Sequence, residues 1–178
     1  MSIVDVCLYN YNMYNLSDMS RLVELPNGNA RTLYEYLKRI KQEYNVKLAI
    51  IGLNNPLRNG IYSVFPNASI IIHPRYVIQM INTYLGCGGS VNKSEAEIAA
   101  GIETGIEAGK LTIQEIGCQN MYDHQTKQEA IEYYRQWQGD VPLGIQSFYN
   151  VIRTIDDYHE EIFNYFEFKN IFNKNIIR

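Results

Sequence analysis

The sequence predicts an α/β fold in which a three-strand meander, then alternating helices and strands, build one mixed sheet, followed by a helical C-terminal region. Three observations predict it. Short β-branched runs separated by turn residues occupy the first 25 positions, helical periodicity then alternates with continuous apolar runs of strand length as far as Leu85, and beyond Gly86-Cys87-Gly88-Gly89-Ser90 no strand-like alternation recurs.

The elements follow in order. Ile3 to Tyr9, Tyr11 to Leu16 and Arg21 to Leu25 are rich in strand formers, with Asn, Ser and Asp between them, and read as an antiparallel meander. Pro26-Asn27-Gly28-Asn29 stops the sheet. Leu33, Tyr36, Leu37 and Ile40 then recur at helical spacing, with Lys38, Arg39 and Lys41 outside. Val46 to Ile51 is a nearly continuous apolar run, as expected of a strand covered on both faces in a parallel sheet. A short helix is expected near Leu57 to Val64, a second apolar strand at Ser69 to Ile72, and a helix through Val77, Ile78, Ile81, Tyr84 and Leu85. Later helices are expected from Ser94, where Ile98, Ile102 and Ile106 share a face, and at Thr112 to Met121, Thr126 to Gln138 and Gly144 to Phe168, the last divided or continuous.

Residues 1–85 are therefore read as the sheet domain, 86–92 as a glycine-rich linker and 93–178 as a helical region packed on the first domain. That packing is expected because Ile152, Ile155, Ile162, Phe163, Phe166 and Phe168 need a partner surface. With 46% apolar and 20% charged residues the composition is that of a globular protein. No apolar run approaches the roughly 20 residues of a membrane-spanning helix, and Met1-Ser2-Ile3-Val4-Asp5 has no secretory character, so a cytoplasmic protein without a membrane partner is expected. Cys7, Cys87 and Cys118 are odd in number and far apart, which argues for reduced thiols. The net charge of −3 is uneven: residues 1–92 carry 8 basic and 5 acidic side chains, residues 93–167 carry 5 and 14, and residues 168–178 carry 3 and 0. Contact with a polyanion is thus expected of the first half or the extreme C-terminus.

Few residues carry a chemical signal. Gly86 to Ser90 is not followed by the Lys and Ser/Thr of a phosphate-binding loop, so turn chemistry explains it. Asp156, Asp157, Glu160 and Glu161 flank His159, and i, i+4 spacing on one helix pairs Asp156 with Glu160 and Asp157 with Glu161. Carboxylates so paired suit a divalent cation, whereas a charge run on a helix is ordinarily a solvated face, and no metal site is assigned. Asp123-His124 reads as loop surface. His73-Pro74-Arg75 closes the second apolar strand, where α/β sheets tend to place functional groups, and its residue types favour a structural or anion-contacting role over catalysis because no acid or thiol partner is nearby.

Three strands followed by alternating helices and strands is the order of the ribonuclease-H-like fold. The residues also resemble the catalytic core of bacterial insertion-sequence transposases of the ISL3 type. The resemblance runs through Arg21 to Pro26, Thr32 to Leu37, Val46 to Ile51, Phe65-Pro66-Asn67-Ala68 and Ile70 to Tyr76, then Glu129-Ala130-Ile131 with Trp137, Ile152 to His159 and Glu161 to Phe166. It implies an enzyme that holds two divalent metals, Mg²⁺ or Mn²⁺, with two Asp and one Glu to cleave and transfer DNA strands. At the family's acidic positions this sequence departs. Gly52-Leu53-Asn54-Asn55 ends the fourth strand, His73 stands for a family Asp, and Asn170 to Asn175 contains no acid near the final Glu. Asp5 in the first strand is the remaining catalytic candidate, and Glu167 precedes the expected Glu position.

The expectation is a transposase-derived protein that has lost metal chemistry, needs no cofactor, and binds nucleic acid at most weakly through Lys38, Arg39, Lys41, Arg58, His73 and Arg75. Two alternatives stay open. One is an active metal-dependent nuclease or transposase using Asp5 or Asp18 with Asp156, Asp157 or Glu167. The other is a protein-interaction module, a homo-oligomer formed through tyrosine-rich surfaces and the Gly101, Gly105, Gly109 face.

Overall fold

The computed structural model describes residues 4–9, 11–18, 20–26, 30–85, 117, 120–141 and 146–173. Strand β1 (Val4–Tyr9) pairs antiparallel with β2 (Asn12–Asn15), which pairs antiparallel with β3 (Arg21–Glu24), so the meander forms as read. Met13 faces Val23 and Tyr14 faces Arg21, leaving Leu22 as an extra residue that makes a bulge on this edge strand. The turn between β2 and β3 is closed by side chains: Asn15 Oδ1 accepts from the N–H and hydroxyl of Ser17, and Asp18 Oδ1 accepts from those of Ser20. The Ser20 backbone bond is the main reason the Asp18 carboxyl is held below its ordinary pKa.

Helix α1 (Ala30–Ile40) buries Leu33, Leu37 and Ile40 of the predicted stripe, while Tyr36 is half-buried. It leads to β4 (Tyr44–Ile51), which lies parallel to β1, and then to α2 (Asn55–Val64). Asn54 caps α2 with its side-chain oxygen on the Leu57 N–H, and Pro56 occupies the first turn, where a missing N–H costs nothing. A Cβ on Gly60 would lie 3.3 Å from Leu37 Cδ1, so the glycine permits a close approach of α2 to α1. Strand β5 (Ser69–Ile72) pairs parallel with β4, completing a five-stranded sheet of order β3-β2-β1-β4-β5. Val6, Cys7 and Leu8 in β1, Leu48 to Ile51 in β4 and Ile70 to Ile72 in β5 are all buried, which is why these segments read as unbroken apolar runs.

The described residues fall into two compact units, one drawn from residues 1–73 and 160–178 and the other from 74–159. The Gly86 to Ser90 stretch, where the sequence suggests a linker, and the Ile98, Gly101, Gly105 and Gly109 faces lie outside the described residues. In the second unit, α3 (Pro74–Leu85) and α5 (Gln146–Asp157) pack together, and α4 (Lys127–Asp140) follows a 3-10 turn at Met121–Asp123. Thr126 and Glu129 form a reciprocal capping box at the start of α4. Bonds from the N–H groups of Thr126 and Gln125 hold the Glu129 carboxyl below its ordinary pKa. Trp137 of α4 meets Phe148 of α5 edge-on at 6.3 Å between ring centres, and Tyr134 donates to Asp156 at 2.8 Å.

The expected last helix is divided: α5 ends at Asp157, then come α6 (His159–Phe163) and α7 (Tyr165–Asn173). The segment from Glu160 belongs to the sheet unit. Tyr165 and Phe168 pack on the face made by Cys7, Leu48, Ile50 and Ile71. Asn164 Nδ2 donates to the Ile70 carbonyl at 3.1 Å, and His73 N–H reaches back to Ile51 O at 3.2 Å. Since backbone groups alternate sides along a strand, His73 marks the residues of β5 that bond to β4, and Ile70 points to the free edge. Asn164 therefore satisfies a carbonyl that the edge strand would otherwise leave unpaired. No helix among the described residues is long and apolar enough to cross a membrane.

Candidate functional site

Parallel strands bring β1, β4 and β5 to a common C-terminal edge, where open α/β sheets bind ligands. The residues delivered there from the sheet unit are Tyr9 and Tyr11 after β1, Gly52 and Asn54 after β4, and His73 after β5. Asn54 is doubly engaged, its oxygen capping α2 and its Nδ2 donating to the Tyr11 hydroxyl at 3.1 Å. A tyrosine hydroxyl that accepts such a bond keeps its own proton as a donor. The groups thus gathered are phenols, an amide and an imidazole.

Asp5 lies at the other end of the sheet. It is exposed, it stands opposite Asn45 near the start of β4, and Asn45 Nδ2 donates to its carboxylate at 2.9 Å. Ile51 ends β4 six residues further on, which at about 3.3 Å per residue puts Asp5 roughly 20 Å from the C-terminal edge. Lys41 is at the same end as Asp5, on a recess of about 320 Å³ that it lines with Tyr44, Asn45, Phe65 and Asn67.

The remaining basic residues are dispersed. Lys38 and Arg39 are exposed in the last turn of α1, with the Lys38 ammonium 5.2 Å from the centre of the Tyr34 ring and the Arg39 guanidinium 4.8 Å from that of Tyr36. Arg75, in the other unit, lies over the Tyr76 ring at 4.8 Å and donates to its hydroxyl. Arg58 is committed within the sheet unit: its Nε is 2.9 Å from Glu161 Oε1, an oxygen that also accepts from the Tyr62 hydroxyl at 3.0 Å. Glu161 is only 3% exposed. Burial first, and then the Glu161 charge, push the Tyr62 phenol up to about 12.

The acidic run at 156–161 accordingly does not act as one solvated face. Asp156 is bound by Tyr134 in one unit, and Glu161 is buried against Arg58 and Tyr62 in the other. Among the described residues no three His, Cys, Asp or Glu side chains are grouped as metal ligands. Cys7 is buried, and burial raises its thiol to about 12, which makes it an inert core residue. Glu167 is exposed on α7.

A groove between α1 and α2 was not anticipated from the sequence. It measures about 380 Å³ and is lined by Ala30 and Tyr34 of α1 and by Asn55, Asn59, Gly60 and Ser63 of α2. The signal was present as spacing: 30, 34 and 38 on one helix and 55, 59 and 63 on the other each recur four apart, so each set forms a stripe on one face. No family model, curated protein or solved structure matches the chain.

Proposed function

We propose that the sheet unit is a ribonuclease-H-like domain without metal-dependent DNA-cleaving chemistry, and that the chain contacts nucleic acid weakly and without sequence preference. One observation carries this reading. At the end of β4 and after β5, where the transposases it resembles carry acids, the groups present are Gly52, Asn54 and His73, and the Asn54 amide is already used to cap α2 and hold Tyr11. Two adjacent divalent cations repel strongly and require carboxylates to offset that repulsion, which amide and phenol groups cannot do. The sheet order, a meander joined through β1 to two parallel strands, supports the fold assignment. The dispersal of the cations, with Arg58 neutralised by Glu161, supports weak binding.

The test is incubation of the purified chain with labelled duplex and single-stranded DNA in Mg²⁺ and then in Mn²⁺. Cleavage stays at background, and binding measured in parallel weakens steeply with salt. Cleavage that disappears on Asp5→Asn would overturn the proposal in favour of a working nuclease.

A further inference from the structure

We propose that the groove between α1 and α2 is a binding site for one unstacked nucleotide of a single-stranded nucleic acid. The inference rests on the reading of the chain as a weak nucleic-acid contact, and it gives that contact a location and a strand preference. The groove supplies two of the chemical parts such a ligand needs, and a lysine next to its tyrosine supplies the third. An aromatic ring, Tyr34, lines it and offers a base a surface to pack against. Asn55, Asn59 and Ser63 follow one another at four-residue spacing on the exposed face of α2, and among the described residues none of their side chains is engaged by another. Amides and hydroxyls both donate and accept, so they can meet the edge of any base without selecting one. The Lys38 ammonium, 5.2 Å from the centre of the Tyr34 ring, supplies a cation beside the ring for the phosphate.

The lining contains no acidic side chain, so a polyanion entering the groove meets no carboxylate on its walls. Its size and shape decide the strand state. A recess of about 380 Å³ is in the range of small-ligand sites, and Ala30 adds only a methyl group to its wall. A base that remains paired and stacked in a duplex cannot enter a recess between two helices, whereas a splayed base of a single strand can. The recess beside Lys41 also offers a ring, amides and a cation, but its Asn45 is bonded to the Asp5 carboxylate, and it lies where α1 and α2 both end, so that the partial negative charge of helix C-termini opposes a phosphate.

The experiment is fluorescence anisotropy of the full chain with a labelled oligothymidylate and with a labelled duplex of the same length, at low salt. The single strand binds more tightly than the duplex. Tyr34→Leu and Asn59→Asp each weaken single-strand binding by about tenfold, as loss of one base contact does. Asn59 is exposed, so its variant keeps the wild-type melting temperature even if Tyr34→Leu perturbs packing. Lys38→Gln lowers the slope of log affinity against log salt by about one. Equal binding of single strand and duplex, unchanged in the Tyr34 and Asn59 variants, overturns the groove while leaving weak electrostatic binding in place. Absence of binding to either nucleic acid overturns both readings.

Discussion

Two carboxylates of the sheet unit, Asp5 and Glu161, occupy opposite environments. Asp5 sits exposed at the start of β1 with a neutral amide, Asn45, as its partner. Glu161 is buried on α6, joined to the Arg58 guanidinium and the Tyr62 hydroxyl of α2. In the sequence the first stands out as a catalytic candidate and the second as one member of a solvated acidic run. The difference teaches that an acid's role follows from where the register and the packing put it. A carboxylate in water gains little from any single partner, whereas one removed from water must be compensated for the fold to form.

The largest expected effect is at the buried acid. Glu161→Ala leaves the Arg58 charge without its carboxylate, and since the Arg58 side chain retains 24% of its exposure the cost falls at the lower end for a broken buried pair, about 3 kcal/mol. Urea unfolding of Glu161→Ala, Arg58→Ala and the double variant measures it. The double variant is expected to be less destabilised than the sum of the two, and strict additivity would show that the pair is not coupled.

An intermediate effect is expected from pH. Folding holds the proton on Tyr62, whose phenol is raised from 10.0 to about 12, so this contribution to stability is complete below pH 10 and is lost as the pH climbs to 12. Tyr62→Phe removes that part of the alkaline loss, and Glu161→Gln reduces it by removing the negative charge that acts on the phenol. Thermal melting across this range compares the variants with the parent chain, and identical alkaline profiles would sever Tyr62 from Glu161. The smallest effect belongs to Asp5. Asp5→Asn is expected to change stability by no more than about 0.5 kcal/mol, because an exposed hydrogen bond exchanges readily with water. A loss comparable to that of Glu161→Ala would erase the contrast.

Much of the sheet was legible because its residues announce local constraints. The apolar runs of β4 and β5 require cover on both faces, and Leu33, Leu37 and Ile40 make a buried helical stripe, with Tyr36 at its half-buried margin. The short helix expected near Leu57 to Val64 forms as α2 and begins two residues earlier, at Asn55. The division of the last predicted helix was harder to read, because α5, α6 and α7 keep similar apolar spacing on either side of Tyr158 and Asn164. The candidate site was least legible. Asp5 lies at the end of β1 opposite the C-terminal edge of the parallel strands, and that depends on the pairing of Asp5 with Asn45, which no local pattern encodes.

By itself the sequence determined the order and kind of the elements from β1 to β5, the burial of β4 and β5, and the lack of acids at Gly52 to Asn55 and at His73. These depend on residues close together in the chain, whose periodicity and turn chemistry act before any long-range contact forms. The tertiary structure alone decided that the segment from Glu160 returns to the sheet unit, that Asn164 covers the β5 edge at Ile70, that Arg58 is spent on Glu161, and that Tyr34 of α1 and the polar stripe of α2 line one groove. Each of these joins residues up to about a hundred positions apart, and such contacts are selected by the geometry of a packed interior and by the need to satisfy every buried polar group, conditions that exist only once the chain has folded.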